Sequence, residues 1–216
     1  MRFPEPTFTD SGVFVALEGG EGAGKSTQSQ LLASWLTDRG FGVLLTREPG
    51  GTPVGTALRG IVLDPATGAL SSRTEALLYA ADKAEHVDTI VLPALAGGHV
   101  VITDRYIDST LAYQGAGRAL VPEELEAVAL WATGNLRPHL TVLLDVDPAI
   151  GHTRFEGQDR IEAEPLAFHR RVRHSFLDLA LRDPEHYVVL DGRAPIDDIQ
   201  QSIRERLEPW LTQASS

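Results

Sequence analysis

The stretch Gly19-Gly20-Glu21-Gly22-Ala23-Gly24-Lys25-Ser26 constrains this chain more than any other. The apolar run Val13–Leu17 precedes it, and Leu31, Leu32, Trp35 and Leu36 recur behind it at helical spacing. It fits G-x-x-x-x-G-K-S/T in full, so the context reads strand, glycine-rich turn, helix. Glycines there let the backbone wrap until successive N–H groups and the helix N-terminus converge on one point, which attracts phosphate oxygens. Gly19 to Ser26, with Thr27 behind them, are the predicted triphosphate cradle. Lys25 can bridge the β- and γ-phosphates, and the Ser26 hydroxyl can ligate Mg²⁺.

The same alternation continues along the chain. Val43–Thr46, Val100–Thr103, Thr141–Asp145 and Tyr187–Leu190 are further short apolar runs, nearly continuous, as strands buried on both faces of a parallel sheet require. Helical patterns separate them. Gly40 stops the first, and Thr52-Pro53 reads as an N-cap followed by proline for the second. Ser72-x-x-Glu75 reads as a capping box opening a long helix to about Ala96. Pro122–Thr133, Pro165–Arg182 and Pro195–Leu207 fit three more. Such alternation predicts a doubly wound α/β sandwich with a five-stranded parallel sheet and ligands at the carboxyl ends of the strands. Residues 1–11 read as a loose N-terminal arm and 12–216 as a single domain. The polar, glycine-containing segment at about 152–162 reads as an exposed mobile lid. Asp104-Arg105 closes the third strand, where a carboxylate can serve Mg²⁺ through water and an arginine can face phosphates.

Charge narrows the partners. The chain of 216 residues carries a formal charge of −11, which repels nucleic acid and anionic membranes, so phosphate binding must be local. Of its 19 basic residues only Lys25 and Lys83 are lysines, which makes their positions informative. Cysteine is absent, which excludes disulfides and thiolate metal sites. The opening MRFPEPTFTD has no apolar signal-peptide core, and no run approaches membrane-spanning length, so the expectation is a cytoplasmic protein.

Four motifs together carry a more specific likeness. They are GGEGAGKST, Thr46-Arg47-Glu48-Pro49-Gly50-Gly51-Thr52, the run from Asp104-Arg105-Tyr106 through Ser109, Thr110, Tyr113 and Gln114 to Gly115, and Asp159-Arg160-Ile161-Glu162. In this order and spacing the chain resembles the bacterial thymidylate kinases, P-loop nucleoside monophosphate kinases. The resemblance implies ATP as donor with Mg²⁺, dTMP as acceptor and a homodimer. It implies that Tyr79, where the family usually has phenylalanine, stacks on thymine. Lys83, where arginine is usual, then donates to a base carbonyl. These two lie four apart on one helix face. By the same resemblance Ser109, Thr110 and Gln114 lie near the acceptor, with Thr110 and Gln114 at the base. Tyr113 excludes a ribose 2′-hydroxyl, Glu21 contacts the 3′-hydroxyl, and Pro49 borders the acceptor site. Asp104 joins Ser26 at the metal. The phosphate loop has no arginine, so Lys25, Arg105 and the lid arginines Arg154 and Arg160 are the expected catalytic cations.

Two rivals are weighed on the residues. A P-loop deoxynucleoside kinase would need a carboxylate base beside a sugar hydroxyl, and Glu18 or Glu21 could serve. A nucleotide-dependent switch would use a guanine-reading Asn/Thr-Lys-x-Asp segment. Neither lysine stands in one.

Overall fold

A computed structural model describes residues 7–9, 11–151 and 159–214. Among them five strands, β1 (Val13–Gly19), β2 (Val43–Arg47), β3 (Val100–Asp104), β4 (Leu140–Asp145) and β5 (Tyr187–Asp191), form one parallel sheet ordered β2-β3-β1-β4-β5. The helices are α1 (Lys25–Asp38), α2 (Pro53–Leu63), α3 (Ser72–His86), α4 (Leu92–Ala96), α5 (Ile107–Thr110), α6 (Pro122–Ala132), α7 (Pro148–Gly151), α8 (Leu166–Arg182) and α9 (Ile196–Ala214).

β1 is the axis of the molecule and is buried along its whole length. Its side chains alternate, so each face of the sheet receives every second residue. Val13, Val15 and Leu17 pack with Leu32 and Leu36 of α1 and Ile203 and Leu207 of α9. Phe14 and Ala16 pack with Val87, Val91, Leu95 and Tyr106 on the other face. A third cluster sets Phe168, Val172 and Phe176 of α8 against Tyr113 and Leu143.

Several expectations are corrected. β2 and β5 are edge strands and only half buried, with Leu45 41% and Val189 46% exposed, since each has one neighbour and a partly covered face. The N-cap of α3 is Ser71, whose hydroxyl accepts from Thr74 N, so Ser72 opens no capping box and Glu75 is free for another task. The long helix is α-helical only to His86. A π-helical segment, Val87–Val91, joins it to α4, and a second, Leu111–Gly117, continues α5. Thr7 and Phe8 are held rather than loose. Thr7 bridges to Leu136, and the Phe8 ring stacks on His186 at 4.6 Å. Thr9 Oγ1 donates to Gly12 O and Ser11 Oγ to Leu95 O, each at 3.1 Å, and the rest of the arm lies outside the described residues.

Candidate active site

The loop between β1 and α1 owes its path to glycine. Gly19 has φ 136° and a side chain there would meet Leu144 O at 2.4 Å; Gly22 has φ 69° and would meet Gly151 O at the same distance. Both positions combine a left-handed backbone with a close backbone approach, which only glycine satisfies cheaply. α1 then starts at Gly24 with no side-chain cap and no acid in its first turn, whereas α2 and α3 are capped by Thr52 and Ser71. Its first N–H groups remain available for an anion.

Lys25 is buried and folded back on the loop, its Nζ donating to Gly19 O at 3.1 Å and Gly20 O at 2.8 Å. Burial first, and then the charge of Arg105, bring its pKa down to about 8. Ser26 Oγ donates to Asp104 Oδ2 at 2.8 Å, so the two residues expected at the metal do meet. Their oxygens are hard donors suited to Mg²⁺, which takes few protein ligands and completes its shell with phosphate and water. No cluster of three or more histidines or acids forms a metal site among the described residues.

Arg105 is the hinge of the site. Its backbone is left-handed, φ 71°, a conformation costing about 1 kcal/mol for a residue with a Cβ. That turn sends its guanidinium to Gly19 O at 3.1 Å, Ser109 Oγ at 3.0 Å and Glu21 Oε1 at 2.9 Å. Burial opposes its charge, but Tyr113 and the carboxylates of Glu21, Asp104 and Glu18 outweigh burial and raise its pKa. Glu21 also accepts from Tyr113 Oη at 2.5 Å and lies 3.5 Å from His169 Nδ1. Burial alone would raise the Glu21 pKa; His169, Arg105, Lys25 and Tyr113 overcome it and hold the group ionised.

The cleft has a volume of about 690 Å³, in the range of small-molecule sites. Glu21 to Thr27, Asp104 and Arg105 line its middle, and Pro49, Tyr79, Lys83, Ser109, Thr110, Tyr113 and Gln114 line one end. Thus the structure gathers most predicted residues into one space. Gly19 and Gly20 stand behind it, serving through their carbonyls. Thr110 Oγ1 is buried there without a hydrogen-bond partner among the described residues.

Two lid expectations fare differently. Arg154 lies outside the described residues. Arg160 does not line the cleft: its guanidinium donates to Glu75 and, at 2.9 Å, to Val62 O. A buried carboxylate ties it there, so the structure does not bring Arg160 together with Lys25 and Arg105. From the same segment Asp159, Ile161 and Glu162 reach the cleft instead.

Sequence reasoning missed several participants. Lys83 Nζ lies 2.8 Å from Glu48 Oε2, and His86 Nδ1 lies 2.8 Å from Glu48 Oε1, all nearly solvent-free. Despite burial, Lys83 and then His86 keep the Glu48 pKa below its usual value. His86, three residues beyond Lys83, was the available signal. Arg59 from α2 was missed as well, and it lines the cleft with Arg47, which the Thr46–Thr52 motif had placed at the border of the acceptor site. Gly192, Ala194, Ile196 and Ile199 form an opposite, apolar end for which no motif spoke.

A phosphate-binding loop after the first strand of a five-stranded parallel sheet, opening on a second polar subsite, defines a phosphotransferase of the P-loop class. The family model described as thymidylate kinase matches residues 17–203. A thymidylate kinase of Cutibacterium acnes is 55% identical over 200 residues, covering 93% of this chain and 98% of that one. One from Clavibacter michiganensis subsp. michiganensis is 50% identical over 210 residues, covering 95% and 99%. A crystal structure of thymidylate kinase from Ehrlichia chaffeensis superposes with a TM-score of 0.77 at 31% identity, covering 92% and 99%. The chain belongs to the thymidylate kinase family.

Proposed function

We propose that this chain transfers the γ-phosphoryl group of ATP to the 5′-phosphate of dTMP, giving dTDP and ADP. The observation that carries the reading is the single cleft joining Lys25 and Ser26, through Arg105, to Tyr79, Lys83, Thr110 and Gln114. ATP lies with its phosphates over the loop and its base at the apolar end beside Ala194 and Ile196. The pyrimidine stacks on Tyr79, with Lys83 donating to a carbonyl and Thr110 Oγ1 available to the acceptor. Ser26 and Asp104, which meet at 2.8 Å, would hold Mg²⁺, and the ion would supply neutralising charge for the donor phosphates.

A phosphate acceptor needs no general base, and the site agrees. Glu18 is buried and does not line the cleft; its carboxylate accepts from Ser109 Oγ at 2.6 Å and Tyr106 N at 2.8 Å. Glu21 lines the cleft, but its partners hold its carboxyl well below the usual range, which makes it a weak proton acceptor. Neither suits the general base that a sugar 5′-hydroxyl would need. The problem is instead repulsion: like unit charges ~4 Å apart oppose each other by about 1 kcal/mol in water and about 4 at a protein-like dielectric. Lys25 and Arg105 meet this by aiming fixed cations at the transferring group. Tyr113, on Glu21, walls the sugar at its 2′ face, and Glu21 holds the 3′-hydroxyl. Arg154 is the remaining candidate for a lid cation.

No described helix is long and apolar enough to cross a membrane, and we take the protein to act in the cytoplasm as a homodimer with no nucleic-acid partner. An ADP-release assay over a panel of acceptors tests the function. dTMP should support turnover and thymidine should not; the reverse would return the deoxynucleoside kinase reading.

A further inference from the structure

Glu75 sits on α3 with its carboxylate wholly buried, yet it carries four hydrogen bonds from three residues. Gln114 Nε2 donates to Oε1 at 2.9 Å. Arg118 donates through Nε to Oε1 at 3.1 Å and through a terminal nitrogen to Oε2 at 3.2 Å. Arg160 donates to Oε2. Burial by itself would raise the carboxyl pKa; the hydrogen bonds from Arg118, Gln114 and Arg160 outweigh it and hold Glu75 below the usual range.

An ionised carboxylate accepts hydrogen bonds and donates none. A glutamine amide has two ends of nearly equal shape and opposite hydrogen-bonding sign. Facing Glu75 oxygen-first would set acceptor against acceptor in a buried place, so the nitrogen end must face it. Gln114 lines the cleft and is 2% exposed. One of its two N–H groups is committed to Glu75, which fixes the amide so that the oxygen end is turned away from Glu75 and can accept from a ligand.

We propose that Glu75 is a positioning residue for base choice, fixing the polarity of the Gln114 amide so that the cleft accepts a ring N–H and refuses a ring nitrogen lone pair. This rests on the placement of the acceptor base proposed above. Lys83 supplies the complementary half, since its ammonium can only donate. An acceptor beside a donor matches the N3–H and C4=O edge of thymine or uracil. The N3 lone pair and 4-amino group of cytosine oppose it at both atoms. Arg118 and Arg160 serve the same end by keeping Glu75 charged, and this gives Arg160 a role without contact with substrate.

The test is Glu75→Gln, a neutral side chain of equal size that imposes no sign on Gln114. The ratio of kcat/KM for dTMP over dCMP should fall about tenfold or more, the size of one well-placed hydrogen bond reversed. A packing defect alone would depress both substrates alike. An unchanged ratio in a folded variant overturns the proposal. Should the variant fail to fold, a crystal structure of the native chain with dTMP decides. One amide end of Gln114 must lie within hydrogen-bond distance of Glu75 and the other of base N3, and any other arrangement overturns it. If the native chain does not phosphorylate dTMP at all, the function proposed above falls and this inference with it. Native turnover of dTMP with an unmoved ratio removes Glu75 alone.

Discussion

Two side chains carry most of the chemistry that can be tested singly. Lys25 has a pKa of about 8 because burial and Arg105 both disfavour its charge, and its only described hydrogen-bond partners are loop carbonyls. A bound triphosphate favours the ammonium, so above pH 8 nucleotide binding should draw in a proton. Calorimetry of ATP binding at pH 8.5 in buffers of different ionisation enthalpy should show net proton uptake, and Lys25→Ala should abolish it. The same substitution should cut turnover by about two to three orders of magnitude with the fold intact. Unchanged turnover removes Lys25 from the donor site. Tyr113 is the second. It is 5% exposed, with its hydroxyl on Glu21 and its ring 5.0 Å from the Arg105 guanidinium. Tyr113→Ala should raise the kcat/KM for UMP relative to dUMP by about tenfold, the worth of relieving one steric exclusion. An unaltered ratio means the ring does not guard the sugar.

At the scale of elements, the junction of β1, β3 and α5 holds the site together through one carboxylate. Glu18 accepts from Tyr106 N, Ser109 N and Ser109 Oγ, and Ser109 Oγ in turn accepts from Arg105. Burial, and then the Asp108 carboxylate, push its pKa up to about 7 from 4.5. The folded state therefore binds more protons than the unfolded one between those values. Its contribution is fully present below 4.5 and is lost as pH rises to about 7. Glu18→Gln carries no such charge, so its stability relative to the native chain should improve from pH 5 to pH 8 by an amount on the order of 2 kcal/mol. Denaturant melts at the two values check this, and a difference independent of pH refutes it. The elements themselves were legible because their signals are local. An apolar run bounded by glycine or proline marks a strand, and Thr52-Pro53 fixes the start of α2 as expected. What escaped were signals that depend on partners distant in the chain. Ser71 and Ser72 are equally good caps by type, and only the burial of Glu75 beneath Arg118 and Arg160 decides between them. Likewise Arg160 sits inside a matched motif, while its tie to Val62 and Glu75 comes from residues 98 and 85 positions away.

At the scale of the molecule, glycine spacing and the Asp104-Arg105 pair speak directly for the phosphate part of the cleft, whereas the residues expected at the acceptor came only through the family resemblance. The apolar end was not readable, because Gly192, Ala194 and Ile196 look like any turn before a helix until α9 folds back beside α1. Assembly is the remaining question at this scale. Burial within one chain would have explained the apolar residues of α3 as well as a partner would. The structure leaves Leu77 59% and Leu92 39% exposed along α3 and α4, with Ala81 exposed between them. Val54 and Ile61 of the neighbouring α2 are 49% and 43% exposed. Apolar side chains recurring on adjacent helices outside the core are what a symmetric helix-to-helix contact needs, since the same patch must serve both subunits. Leu77→Glu would place two like charges near each other across such an axis and remove an apolar anchor. Sedimentation at micromolar concentration should show the native chain as a dimer and the variant shifted toward monomer, with the melting temperature of the variant becoming concentration-dependent over a higher range. A native chain that sediments as a monomer would show that this flank faces solvent and that the site is complete within one chain.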